Sequence, residues 1–144
     1  MSRLEPDRTA SWRHVIVAAD SRSGVPVLTL AGRFGFAAAA ELAGSIAQTL
    51  DGRRSLVLDL AAVEYISSAP LAAILEAGDR CISAGGVLAV ASASDPVRLA
   101  LEFIGASRTV AIHPTREAAL AATDALNETQ SRRSPSSDGR PVDP

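Results

Sequence analysis

The strongest constraint on this chain is the period of its apolar residues, which switches between strand-like and helix-like spacing in regular alternation from residue 14 to about residue 126. Residues 14–19 (HVIVAA) form a short β-branched run, followed by a turn-rich stretch ending at Gly24. Residues 25–30 (VPVLTL) read as a second strand, so the two predict a hairpin, with Pro26 tolerated near a strand start or on an edge. Residues 36–50 then place Phe36, Ala39, Ala43, Ile46, Ala47 and Leu50 at helical spacing, and Asp51-Gly52 ends that segment. Residues 55–60 (SLVLDL) are almost continuously apolar, as expected of a strand covered on both faces. A second helix is predicted over 70–84, with Leu71, Ile74, Leu75, Gly78 and Ile82 inward and Gly85-Gly86 as its stop. Residues 87–91 (VLAVA) read as a strand. Asp95-Pro96 caps and opens a helix to Ile104, with Val97, Ala100, Leu101 and Ile104 inward and Gly105 as terminator. A short strand at 109–112 and a helix from Thr115 to about Leu126 complete the series.

The order β-β-α-β-α-β-α-β-α predicts a single α/β domain. Its sheet is mainly parallel, with four to five strands, an antiparallel hairpin strand at its start and about four helices. Parallel strands carry their functional loops at the carboxyl ends, so those loops are where chemistry is to be sought.

Flanking this domain, placed at residues 12–127, the ends read differently. Residues 1–11 mix charge, proline and small polar groups, with no apolar run long enough for a signal peptide. Residues 128–144 have almost nothing to bury and are expected to be a disordered tail. No stretch reaches the length of a membrane helix, so no membrane insertion is expected.

Composition narrows the function. All 14 basic residues are arginine, which excludes lysine Schiff-base chemistry and a phosphate-loop lysine. With 16 acidic residues the formal charge is −2, giving no basic surplus for nucleic acid. One cysteine cannot form an internal disulfide or a cysteine-rich zinc site, which favours a reducing compartment and a cytoplasmic location. His14 and His113 are the two imidazoles, so few metal or acid–base constellations are available; no metal and no cofactor is expected.

The loop with most chemical content follows residues 55–60 and reads AAVEYISSAP. Ser67 and Ser68 fall at or just before a helix start, with Pro70 in its first turn. A serine there can cap the helix, or it can be an accessible hydroxyl among free N–H donors where phosphate is well accommodated. A hydrolytic serine is disfavoured, because neither histidine is near it in sequence and the flanks are not those of a nucleophile elbow. Gly32-Arg33-Phe34-Gly35 reads as a strand-to-helix turn, Cys81 as an inert core thiol, and His113-Pro114 as a turn. Asp59, inside a buried strand, requires a partner or a strand-end position.

At VLDLAAVEYISSAPLAAIL the chain resembles the STAS family, the domain shared by anti-sigma-factor antagonists and sulfate transporters, and the similarity extends over residues 12–126. In soluble antagonists the corresponding loop commonly reads Asp-Ser-(Ser/Thr)-Gly-Leu, and its first serine is phosphorylated by a kinase that is itself the anti-sigma factor. The resemblance puts Ser68 at the phosphoacceptor position, Ser67 where the aspartate stands, Ala69 at the second hydroxyl residue and Pro70 at the glycine. Ser68 and Leu71 match that motif; the other positions depart from it.

The resemblance thus implies a non-enzymatic partner-switching regulator. Its partners would be an anti-sigma factor that is a serine-protein kinase and a phosphoserine phosphatase. Ser67, Ala69, Pro70, Ala72, Ala73 and Glu76, with Asp79 and Arg80 beyond them, would form the docking surface beside Ser68. Loss of the aspartate and glycine leaves a second implication open: an unphosphorylated scaffold, or the soluble subunit of a lipid ABC transporter.

Overall fold

The computed structural model describes residues 14–21 and 24–138, with side chains through Thr129. Trp12, the expected start of the domain, and residues 1–11 lie outside the described residues. Strands β1 (His14–Asp20) and β2 (Pro26–Phe34) form the antiparallel hairpin, with Val17 opposite Thr29. Strands β3 (Leu56–Ile66), β4 (Leu88–Ala91) and β5 (Val110–His113) add to β2 in parallel. The sheet order is β1-β2-β3-β4-β5, so every strand pairs with its neighbours in sequence.

That order decides where the helices go. Each parallel crossover steps in the same direction, and one hand of connection then puts all the crossover helices on one face. Helices α1 (Ala39–Thr49), α2 (Ser68–Ser83) and α3 (Asp95–Phe103) share one core with Leu28, Leu30, Phe34, Leu56, Leu58, Leu60, Leu88 and Val90. On the other face α4 (Arg116–Asp138) covers Val25, Val27, Val57, Ala89 and Ala91 through Ala119. Alternate side chains of the middle strands therefore enter different cores, which is why residues 56–60 read as an unbroken apolar run.

The fold class matches the sequence expectation, but several boundaries and faces do not. β2 reaches Phe34 and β3 reaches Ile66, so stretches read as turn and loop are strand, joined by irregular register between Thr29 and Arg33. A 3-10 turn, Phe36–Ala38, precedes α1 and resets its phase. Ala38, Leu42 and Ile46 face inward, whereas Ala43 and Ala47 are exposed and Phe36 is 81% exposed. On α2, Ile82 lies outward and Cys81 takes its place in the core. The residue at the α3 N-cap is Ser94 rather than Asp95, which with Pro96 forms the first turn, and Ile104 is partly exposed.

The helix stops are as expected: Gly85 and Gly105 sit at φ +85° and +81°, the left-handed region that glycine enters without penalty. Thr115 caps α4 by accepting the Ala118 N–H at 3.0 Å. That helix does not end near Leu126; it runs to Asp138, into the segment expected to be a disordered tail. It is tied down midway, where the Ser55 hydroxyl donates to Asn127 Oδ1 at 2.9 Å and accepts the Val87 N–H at 3.0 Å. Residues 139–144 lie outside the described residues.

Cys81 is an inert thiol: it is buried, and burial pushes its pKa up to about 11 against a smaller opposing effect of Arg80. The thiolate is the reactive form. The folded protein should therefore resist a thiol-specific disulfide reagent in mildly alkaline buffer and react fully once denatured. Rapid labelling of the folded chain would show the core around α2 to be open.

Candidate functional site

The site lies where β3 ends and α2 begins, and the connection is a single residue. Ile66 is the last strand residue and Ser68 the first helical one, leaving Ser67 alone between them with φ −89° and ψ 176°. Two backbone bonds fix that junction. The Ser67 N–H donates to Phe34 O at 2.9 Å, hooking the junction to the end of β2, and the Ser67 carbonyl accepts from Leu71 N–H at 3.2 Å.

The capping expectation for these serines is not met. Ser67 occupies the N-cap position, yet its hydroxyl makes no cap bond. Its Oγ is buried without a hydrogen-bond partner among the described residues. A buried orphan hydroxyl is unfavourable by about 1–3 kcal/mol, so Ser67 adds nothing to helix stability through its side chain. Ser68 is the exposed member of the pair, at the first position of α2. Pro70 lacks an N–H, so the first turn offers an anion the amides of Ser68 and Ala69 before Leu71, whose amide is already used.

Around Ser68 the expected docking residues separate into two groups. Ala72 and Glu76 are exposed, as are Asp79 and Arg80 further along α2, and Ala69 is half-buried. Pro70 is buried, and Ala73 packs against the core, so these two give a partner little surface. The expectation that Pro70 lies on the docking surface is not met, because its ring is buried in the first turn of α2.

Two exposed aromatic side chains near the junction have no place in the sequence reading: Phe36 on the side of α2, and Tyr65, which alternation turns to the opposite face of the sheet from Ile66. Phe36 stands almost fully in solvent in the 3-10 turn directly after β2, which packs beside α2. Tyr65, 44% exposed, lies one residue before Ile66, with the Arg33 guanidinium 4.9 Å from its ring centre. The signal available in sequence was the doublet Phe34-Gly35-Phe36: two aromatics two apart can share one face only if the strand continues, and here it breaks between them.

The other candidate residues are placed elsewhere. His14 holds Glu41 Oε1 at 2.7 Å through Nε2 and lies against the Phe34 ring at 5.0 Å. His113 ends β5, with β4 between it and β3, and its carbonyl accepts the Ser92 N–H. No hydrogen bond joins either imidazole to Ser68 among the described residues. Asp59 has the partner its burial demands: Arg116 at 3.1 Å, with the Ala61 amide at 3.0 Å on its other oxygen. This carboxylate fastens the start of α4 to the sheet. Among the described residues no group of three or more histidine, cysteine, aspartate or glutamate side chains could hold a metal ion. Nor is any described helix long and apolar enough to cross a membrane.

A five-stranded sheet of this order, antiparallel at β1-β2 and parallel beyond, with four helices, is the arrangement of a STAS domain. The family model for that domain matches residues 17–119, and the chain belongs to the family. No curated protein matches the sequence. Among solved structures, an anti-sigma factor antagonist from Mycobacterium paratuberculosis superposes with a TM-score of 0.68 at 23% identity, covering 77% of this chain and 94% of that one. The Bacillus cell fate determinant SpoIIAA in its phosphorylated form gives 0.61 at 14% identity, covering 75% and 98%. A sulfate transporter family protein from Wolinella succinogenes gives 0.61 at 23% identity, covering 76% and 92%. At these identities the likeness is one of fold.

Proposed function

We propose that this protein is an anti-sigma-factor antagonist, a cytoplasmic partner-switching regulator without catalysis of its own, and that Ser68 is its phosphoacceptor. The observation that carries this reading is the exposed Ser68 at the head of α2, with Ala69, Ala72 and Glu76 on the same helix and the protruding Phe36 on the turn that packs beside it. Unmodified, this surface docks an anti-sigma factor that is also a serine kinase. Phosphorylation adds nearly two negative charges in the middle of the contact. Desolvating that group without a matched cation disfavours the complex, and a phosphoserine phosphatase restores it.

The test is incubation with ATP, magnesium and a histidine-kinase-like anti-sigma factor encoded near the gene. Phosphate is expected on Ser68 and absent from Ser68→Ala, and Ser68→Glu should weaken the complex by about a hundredfold. No phosphate on Ser68, with unchanged binding by Ser68→Glu, would remove the switch. Pro70, with no amide to give a phosphate, favours that second reading: a STAS scaffold or transporter subunit that docks through the same surface and is never phosphorylated.

A further inference from the structure

Among the described residues β1 is an edge strand, and its sequence does little to defend it. Its seven residues, HVIVAAD, contain no proline or lysine, two of the usual devices that stop one sheet edge from pairing with another, and its one acidic residue, Asp20, stands at the very end. The opposite edge, β5, has four residues. Ile16 packs toward the helix-bearing core, so alternation turns Val15 and Val17 to the other face. There α4 lies over β3, β4 and β5, and leaves both valines more than half exposed, at 53% and 54%.

We propose that β1 pairs antiparallel with β1 of a second copy of this chain, across a two-fold axis at Val17, making one continuous sheet. The strand is self-complementary in that register. Val17 meets Val17, Val15 meets Ala19 and Ile16 meets Ala18. His14 of each copy comes opposite Asp20 of the other. Each end of the strand carries an ion pair, Glu41 on His14 at 2.7 Å and Arg53 on Asp20 at 2.6 Å, and an antiparallel pair sets the one beside the other, twice. On the helix side, α1 flanks β1 with the exposed Glu41, Gly44 and Gln48, and none of these is a large apolar side chain. A pair of this kind points the two Ser68 junctions toward opposite ends of the joined sheet, so both stay open.

Sedimentation equilibrium of the full chain from low to high micromolar concentration reads the assembly. The expected mass rises toward twice the 14.8 kDa of the chain. Val17→Arg, at an exposed position, places two like charges on the axis and should return the mass to one chain with an unchanged circular dichroism spectrum. The register is read by cysteine pairing under mild oxidation. Val17→Cys lies opposite itself and should cross-link about tenfold faster than Val15→Cys, which faces alanine; the native Cys81 is buried. A single-chain mass throughout, a dimer that survives Val17→Arg, or equal cross-linking of the two cysteine variants would each overturn the proposal. So would a dimer that forms only after residues 1–11 are deleted, since the edge would then belong to the chain's own leading segment.

Discussion

Alanine at position 86 will cost the protein about 3 kcal/mol of stability, the upper end of what overpacking does, measured as a fall in the urea midpoint at unchanged slope. A Cβ on Gly86 would stand 2.0 Å from the Arg54 carbonyl oxygen and 2.6 Å from Ser55 Oγ. The first of these is backbone and cannot swing aside. Relief requires β4 to move away from the entry of β3, and that breaks two bonds across the gap. These are the Val87 N–H to Ser55 Oγ at 3.0 Å and the Leu56 N–H to Val87 O at 3.1 Å. The neighbouring glycine separates this cause from backbone conformation. Gly85 has positive φ but open space where a Cβ would go, so Gly85→Ala should cost about 1–2 kcal/mol, the left-handed penalty alone. Equal losses at the two positions would mean that close approach is not what Gly86 provides.

Phe34→Ala should cost about 3–5 kcal/mol, as removal of a fully buried aromatic side chain does. Its effect reaches the candidate site as well. Phe34 packs in the main core, stacks beside His14, and through its carbonyl holds the amide of Ser67. A cavity under the end of β2 loosens the hook that sets the β3–α2 junction. Amide exchange at Ser67 should then quicken more than at Leu58 in the middle of β3. Phe36→Ala is the matched control: at 81% exposure it should leave stability within about 0.5 kcal/mol of the parent, yet weaken docking of a partner at Ser68. A stability loss at Phe36 comparable to that at Phe34 would contradict the placement of both rings.

That pair of phenylalanines also marks what the sequence could show. The order of strands and helices is legible because the first half of β3 and all of β4 are buried on both faces and the crossover helices carry an apolar stripe. The ends of β2 and β3 are not. Leu28, Leu30 and Phe34 keep a period of two to the end of β2, but Ala31, Gly32 and Arg33 between them look like a turn. The outer half of β3 leaves Ala61, Ala62, Glu64 and Tyr65 in solvent, so it lacks the continuous apolar run that identified its first half. A continuous helix from Phe36 would turn that ring inward; a 3-10 turn has a different angular step, and the phase of α1 shifts with it. The position of Ser68 at a helix entrance was readable from Ser-Ser-Ala-Pro alone. That the hydroxyl of Ser67 is buried and idle was not, because it depends on how the end of β2 closes over the junction.

The strand order has a consequence for how the chain reaches its native state. Each strand after the first pairs with the strand that precedes it in sequence, so no pairing must wait for a distant segment and no connection to be closed spans more than one crossover helix. The sheet can lengthen by one strand and one helix at a time as the polypeptide leaves the ribosome, each addition templated by a finished edge. The one exception is α4, the last of the described elements in chain order. Until it arrives, Val25, Val27, Val57, Ala89 and Ala91 present a bare apolar face, and it is during that interval that a nascent chain of this protein is most exposed to aggregation.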